Sequence, residues 1–347
     1  MQFTSLKWMC VVLTSSLVGC SQITPLPEHQ VALSQTYPLQ TQGNYQVLSW
    51  DNYVNDQQLI NLVDLALVSN QDLKIASLRI HEAQAAYGIQ RAELFPNIGG
   101  NAGMERNHVP ADLSYVGREM TTSQYSVGLG MNQWELDLWG RIRSLNEAAL
   151  QQFFAVESNV QAVRNSLIQQ TVLSYLTLSE LDKRIYFAQR SVQNYEKSVR
   201  LFKRRYEVGA SSKVEYMQAK TMLSNGQALV TQLEKSRALT ANYLVQLVGQ
   251  PTSLHQTDLD QVTFKTGVLH TGLPSDLLLN RADIRASEAM LKSKHANINA
   301  ARAAFFPRIT LTGSLGTASA DLDGLFKSGS SVWSFAPSIS VPIFTAG

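Results

Sequence analysis

The stretch Gly140–Val208 reads GRIRSLNEAALQQFFAVESNVQAVRNSLIQQTVLSYLTLSELDKRIYFAQRSVQNYEKSVRLFKRRYEV, and the fold turns on it. Apolar residues fall at Phe153, Val156, Val160, Val163 and Leu167. They resume at Leu178, Leu181, Ile185, Ala188, Val192, Tyr195, Val199, Phe202 and Tyr206. The steps alternate three and four, a heptad period that predicts a left-handed coiled coil. Thr171 and Ser174 interrupt the stripe, and a second one (Val172, Leu173, Leu176) is expected to take over there. After Gly140 no Pro or Gly breaks the run. At about 1.5 Å per residue it makes a helix of about 100 Å. Helices of globular domains average three to four turns, so this one does not belong to a compact domain.

Val208-Gly209-Ala210-Ser211-Ser212 ends the rod. Gly209 supplies a helix stop, and Ser211 or Ser212 an N-cap for the next helix, with Glu215 behind it. That helix runs from about Lys213 to Val248 and stops at Gly249-Gln250-Pro251. Upstream, Leu59–Val68 and Asp72–Leu94 read as helices, the second halted by Phe95-Pro96. The segments after Lys213 and after Asp72 together match the long helix, which predicts two shorter helices stacked end to end along it.

Strand signals flank the rods. Trp333, Phe335, Pro337, Ile339, Val341 and Ile343 alternate with Ser334, Ala336, Ser338 and Ser340. Ile309, Leu311 and Leu315 alternate with Thr310, Thr312 and Ser314; Tyr125, Val127, Leu129 and Met131 alternate with Ser126, Gly128, Gly130 and Asn132. Ile98–Met104 is weaker and Gly-rich. One apolar face opposed to small polar residues suits a strand with lipid outside and water inside. A soluble sandwich with one buried face gives the same pattern.

The chain also repeats itself at a constant offset of 211. Asp72 pairs with Asp283, Ala85 with Ala296, Arg91 with Arg302, Phe95 with Phe306, Pro96 with Pro307 and Ile98 with Ile309. Helix, Phe-Pro corner and strand pair thus occur twice. Extending the second copy as far as the first implies about 114 residues beyond Gly347, including a second long hairpin. The expectation is therefore a fragment of a longer protein that forms no competent channel alone.

With 347 residues, 44% hydrophobic, 16% charged and net charge +2, the chain has length for roughly two domains. The weak net charge argues against nucleic-acid partners. No apolar run reaches the ~18 residues a membrane-spanning helix needs. The only cysteines are Cys10 and Cys20. Lys7 and the apolar run Trp8–Val18 lead into Gly19-Cys20, a secretion signal. Leu17-Val18-Gly19-Cys20 resembles the lipobox of bacterial lipoproteins, and that resemblance implies cleavage before Cys20, S-diacylglycerol and N-acyl lipid on it, and, with Ser21 next, export to the outer membrane. A lipidated Cys20 leaves no thiol for catalysis or a metal. His29, His81, His108, His255, His270 and His295 are scattered, without metal-ligand spacing. No Gly-x-Ser-x-Gly elbow or phosphate loop is present, so neither a catalytic residue nor a metal ligand is assigned.

Four strands cannot close a membrane barrel, and open edges in lipid leave backbone groups unpaired. The strands must be completed by other chains. Together with Trp134-Glu135-Leu136-Asp137-Leu138-Trp139-Gly140-Arg141, the stretches Gly272–Leu278, Asn280–Ile284, Ala301–Pro307, Leu311-Thr312-Gly313 and Val332-Trp333-Ser334 resemble the outer membrane efflux protein family, the TolC-like and OprM-like channels, in its lipoprotein branch. Ala282 departs from the Asn-Arg-Pro-Asp form usual there.

The resemblance implies a fold that is mainly α with membrane β. A long α-helical coiled-coil periplasmic barrel joins four strands per protomer of a trimeric transmembrane β-barrel, with an internal repeat whose second copy is incomplete. It further implies a homotrimer in outer membrane lipid, a periplasmic adaptor (membrane fusion protein) and an inner membrane resistance-nodulation-division transporter. The duct gives solutes passive passage and needs no cofactor. Val208, Gly209, Ala210, Ser211 and Ser212 match the helix turn where the adaptor packs. Trp134, Trp139 and Trp333 fit either membrane-interface anchors or packing at the strand–helix corner. The segments expected are 1–19 signal peptide, 20–57 lipidated tether, 58–96 equatorial and first tunnel helices, 97–139 first strand pair, 140–250 coiled-coil hairpin, 251–307 linker and second tunnel helix, and 308–347 second strand pair. Rival readings are a periplasmic adaptor lipoprotein, a lipid-anchored enzyme, or the duct of a type I secretion or metal efflux system.

Overall fold

The computed structural model describes residues 24–25, 50–254 and 275–344. Cys20, the signal segment, most of the tether, Gly272–Pro274 and most of the linker before them lie outside the described residues. The elements in chain order are α1 (Gln57–Ser69), α2 (Gln71–Ala92), β1 (Ile98–Val109), β2 (Met120–Glu135), α3 (Arg141–Glu207), α4 (Lys213–Val248), α5 (Ala282–Ala303), β3 (Arg308–Ser319) and β4 (Ser331–Ser340). Contacts divide the described residues into two units. One lies within Met1–Gln30, His81–Val156 and Ala286–Gly347, the other within Val31–Ile80 and Glu157–Arg285.

The first unit holds one antiparallel sheet in the order β1-β2-β3-β4. Its register decides which residues share a face. Gly100 stands opposite Leu129, Leu129 opposite Leu315, and Leu315 opposite Trp333. The next row of that face is Ile98, Met131, Gly313 and Phe335. On the other face run Gly99, Gly130, Ser314 and Ser334, the last two joined hydroxyl to hydroxyl at 2.7 Å. The apolar residues of the alternation that fall within the strands therefore lie on one side, and small or polar ones on the other, because side chains directly opposite in a ladder point the same way; Val341 and Ile343 lie beyond β4.

The ladders are longer than the alternation. Glu105–His108 and Thr121–Gln124 pair residue for residue although both faces there are polar, so hydropathy carried no signal. Midway, Gly128 faces Gly316. A Cβ on Gly128 would sit 2.7 Å from the Leu315 carbonyl oxygen, and one on Gly316 would strike the Val127 carbonyl. Only paired glycines permit that approach.

The second unit is a helical bundle whose core draws on α1, α3 and α4. Leu59, Leu62, Val63 and Ala66 pack with Leu167, Tyr175 and Leu178, and with Leu244, Leu247 and Val248. Asp56 caps α1 by accepting from the Gln58 and Leu59 amides at 2.8 and 3.2 Å, and its second oxygen accepts from the Tyr175 hydroxyl at 2.7 Å. Asn70 joins the last turn of α4 to the first of α2. Its amide donates to the Leu247 carbonyl at 2.9 Å and its oxygen accepts from the Leu73 amide at 2.8 Å.

One expectation about the rod is corrected. Thr171 and Ser174 do not open a gap filled by a second stripe; both are buried, whereas Leu173 is 54% exposed. The row Leu167, Thr171, Ser174, Leu178, Leu181, Ile185, Ala188 keeps its four-three steps unbroken, every member buried. The Thr171 hydroxyl donates to the Leu167 carbonyl one turn back at 2.8 Å. Satisfied this way, a hydroxyl enters a core without an unpaired donor. Further along, Asp182 and Arg237 make a bidentate ion pair from α3 to α4, beside the cluster of Leu181, Ile185, Ala188 and Leu233.

Candidate functional site

Two places carry the groups that sequence singled out: the hairpin tip and the corner where strands meet helices. At the tip, α3 ends in paired backbone bonds. The Gly209 amide donates to the Tyr206 carbonyl at 3.0 Å and the Ala210 amide to the Arg205 carbonyl at 2.7 Å. That is a Schellman closure, and it needs a left-handed residue. Gly209 supplies it at φ 75°. Ser212, not Ser211, is the N-cap of α4. Its Oγ accepts from the Glu215 amide at 3.2 Å while the Glu215 carboxylate accepts from the Ser212 amide at 3.2 Å, a capping box. The Ser211 hydroxyl donates to the same carboxylate. That bond first, then the Ser212 amide, hold the Glu215 carboxyl below its ordinary value against the opposing effect of burial, with a lesser contribution from the Arg205 charge.

Tyr206 and Tyr216 stack across the turn with centroids 6.1 Å apart. Beside this closure stand four exposed apolar residues, Val208, Val214, Met217 and Met222. Lys213, Val214, Met217, Gln218, Thr221 and Met222 line an open groove of about 670 Å³. A Cβ on Gly209 would meet nothing within 4 Å. The turn thus presents bare backbone beside an apolar groove.

At the corner, Glu135 at the end of β2 grips both the helix and the strand that follow. Arg141 donates to it twice, Nε at 2.8 Å and Nη2 at 2.7 Å, and Arg308 Nε lies 3.2 Å away. Asp137 accepts from the Ile142 and Arg143 amides at 3.1 and 2.8 Å, capping α3 from outside the usual N-cap position. Trp139 stacks on Phe306 with centroids 5.1 Å apart, and its Nε1 donates to the Pro307 carbonyl at 2.7 Å. These are contacts of a packing residue.

Trp134 reaches its place through a bulge. Between Met131 and Trp134 the partner on β3 advances only from Gly313 to Leu311. The extra residue puts Trp134 on the apolar face, where simple alternation would have turned it away. Trp333 is on the same face and 73% exposed. In the sequence Glu135 and Asp137 stood only as letters of the Trp134–Arg141 stretch, and Asn70 and the Asp182–Arg237 pair drew no notice. A polar residue that acts across elements leaves no local pattern. Among the described residues no group of His, Cys, Asp or Glu is arranged to hold a metal, and no helix is long and apolar enough to cross a membrane.

A bundle of long helices joined to a two-faced sheet is shared with known proteins. The family model described as outer membrane efflux protein matches residues 62–250 and 273–347. The chain is 38% identical over its full length to the solvent efflux pump outer membrane protein SrpC of Pseudomonas putida, covering 75% of that protein. It is 37% identical to outer membrane protein OprJ of Pseudomonas aeruginosa over 86% of this chain and 63% of that one. Its structure is similar to the open state of the MtrE outer membrane channel of Neisseria gonorrhoeae. There the TM-score is 0.81 at 36% identity, with 94% of this chain and 74% of that one covered. Similarity of this extent separates the chain from the adaptor reading and sets it among channels rather than enzymes. The chain belongs to the outer membrane efflux protein family, and it serves as the outer membrane exit channel of an efflux pump.

Proposed function

We propose that the protein works as a homotrimeric exit duct of a tripartite pump. Cys20 carries the lipid, an adaptor docks at the hairpin tip, and an inner membrane transporter of the resistance-nodulation-division class drives export. The observation that carries the reading is the sheet. Leu129, Leu315, Trp333 and Phe335 share one exposed face, and among the described residues β1 and β4 each pair on one side only. In lipid an unpaired edge costs several kcal/mol per group, so copies of the chain continue the ladder. The small and polar face then lines water. Relatives named for solvent, toluene and antibiotic efflux support small amphiphilic drugs and solvents as cargo.

The longer protein of which this sequence is expected to be a part, solubilised from outer membranes, should cross-link as a trimer through β1 and β4 cysteine pairs and conduct ions in planar bilayers. A monomer without conductance contradicts the reading. At the tip, exposed Val208 can be changed without touching the core, so Val208→Glu should leave assembly intact and abolish drug export. Unchanged export would remove the adaptor from residues 208–212.

A further inference from the structure

Thr24 follows Cys20 by four residues, and three side chains of α5 close around it. His295 Nε2 lies 2.7 Å from the Thr24 carbonyl oxygen, and Asn299 Nδ2 donates to that oxygen at 3.1 Å. Arg302 Nη1 donates to the Thr24 hydroxyl at 2.8 Å. Steps of four and three put the three groups on one side of the helix. Asn299 is only 5% exposed and sits in a row with Ala296, Ala300 and Ala303, all buried. A buried amide among alanines costs stability unless it is bonded. Its oxygen has no partner, so the bond to Thr24 is what the amide offers there.

The repeat supplies an internal control. At the offset of 211, the counterparts of His295, Asn299 and Arg302 on α2 are Gln84, Gly88 and Arg91. The arginine is common to both helices, whereas the two groups that hold the carbonyl occur only on α5. The clasp is a property of α5 and not of the repeated helix.

We propose that α5 is a docking site for the chain's own N-terminal segment and moors the acyl anchor beside the second helix-to-strand corner. The mooring rests on the reading of Cys20 as lipidated; the docking does not. Four residues at about 3.5 Å each hold the acylated Cys20 within about 14 Å of Thr24. Arg302 in turn is one helical turn from Phe306, where the chain bends into β3. Held so close, the lipid sets the depth of the sheet in the bilayer instead of trailing on a leash, since a short link keeps its two ends at high effective concentration.

A nitroxide on Gln22→Cys in the membrane-bound protein tests this. In the native background its spectrum should be immobilised, and H295A/N299A/R302A should release a dominant mobile component. N299D alone, which sets a carboxylate against the Thr24 carbonyl, should do the same; R302K, which keeps a donor, should not. N299D decides the matter if the triple variant does not insert. Equal spectra in native and N299D protein overturn the docking. The intact mass reads acylation separately, because an unacylated Cys20 takes a second label. An immobilised but unacylated chain supports the docking and overturns the mooring.

Discussion

The two Phe-Pro corners of this chain are built from the same letters and live in different surroundings. Both follow helices of 22 residues and open strands of 12. Both close with the same turn, the Phe95 amide donating to Ala92 at 3.0 Å and the Phe306 amide to Ala303 at 3.2 Å. There the likeness stops. Phe306 lies under Trp139, with the adjoining carbonyl bonded to the indole, whereas Phe95 is 64% exposed. The helices differ in the size of the residues at equivalent positions. Where α5 buries Ala289 and Ala300, α2 carries exposed Leu78 and Ile89. A close helix contact requires small residues, and the wide apolar ones on α2 keep a surface for something else to cover. The repeat therefore transmits a backbone turn and leaves its environment to be chosen separately.

Exchanging residues between the two corners tests this comparison. The largest effect is expected from truncating the aromatics. Phe306→Ala should cost about 3 kcal/mol in thermal or denaturant unfolding in detergent, and Phe95→Ala well under about 1 kcal/mol. Equal losses would mean the corners are alike after all. Next comes the swap of helix residues. Ala300→Ile, which gives α5 the residue of α2, should destabilise by about 1–3 kcal/mol through overpacking. The reverse, Ile89→Ala, should leave the unfolding of the chain unchanged and, where a second copy covers α2, lower trimer yield.

A smaller loss is expected at the charge lock. Glu135→Gln gives up ionic bonds from a carboxylate only 14% exposed to Arg141 and to half-exposed Arg308, for about 1–2 kcal/mol, read by the same unfolding. The smallest belongs to the tip, which has no counterpart at either corner. Glu215 is held below its unfolded value, so its cap contributes fully above the ordinary carboxylate range and is lost as pH falls through the depressed folded value. Protection of the amides at the start of α4, taken relative to their intrinsic exchange at each pH, should fall in that acidic window in native protein and be independent of it in Glu215→Gln. A tip indifferent to acid would show the capping box to be idle.

Much of this architecture was legible because it is periodic. Heptad steps marked the body of α3, glycines and serines marked its end and both ends of α4, and alternation marked the middle of β2, β3 and β4. Legibility failed where chemistry breaks the period. Thr171 belongs to the core because its hydroxyl bonds backward. Trp134 faces the apolar side because of an inserted residue. Strand ends with two polar faces carry no pattern, although their backbone pairs as well as any other.

By itself the sequence determined the rods, their turn at Gly209, the two-sided character of the strands and the doubling of the helix–corner–strand unit. Each follows from interactions between residues close together along the chain or from a repeating spacing of side chains. Tertiary structure alone decided which Phe-Pro corner receives Trp139, where Asp137 and Glu135 direct their carboxylates, and that three groups of α5 meet Thr24. Those contacts join residues far apart in the chain, and a single polar side chain has many possible partners until folding leaves one within reach.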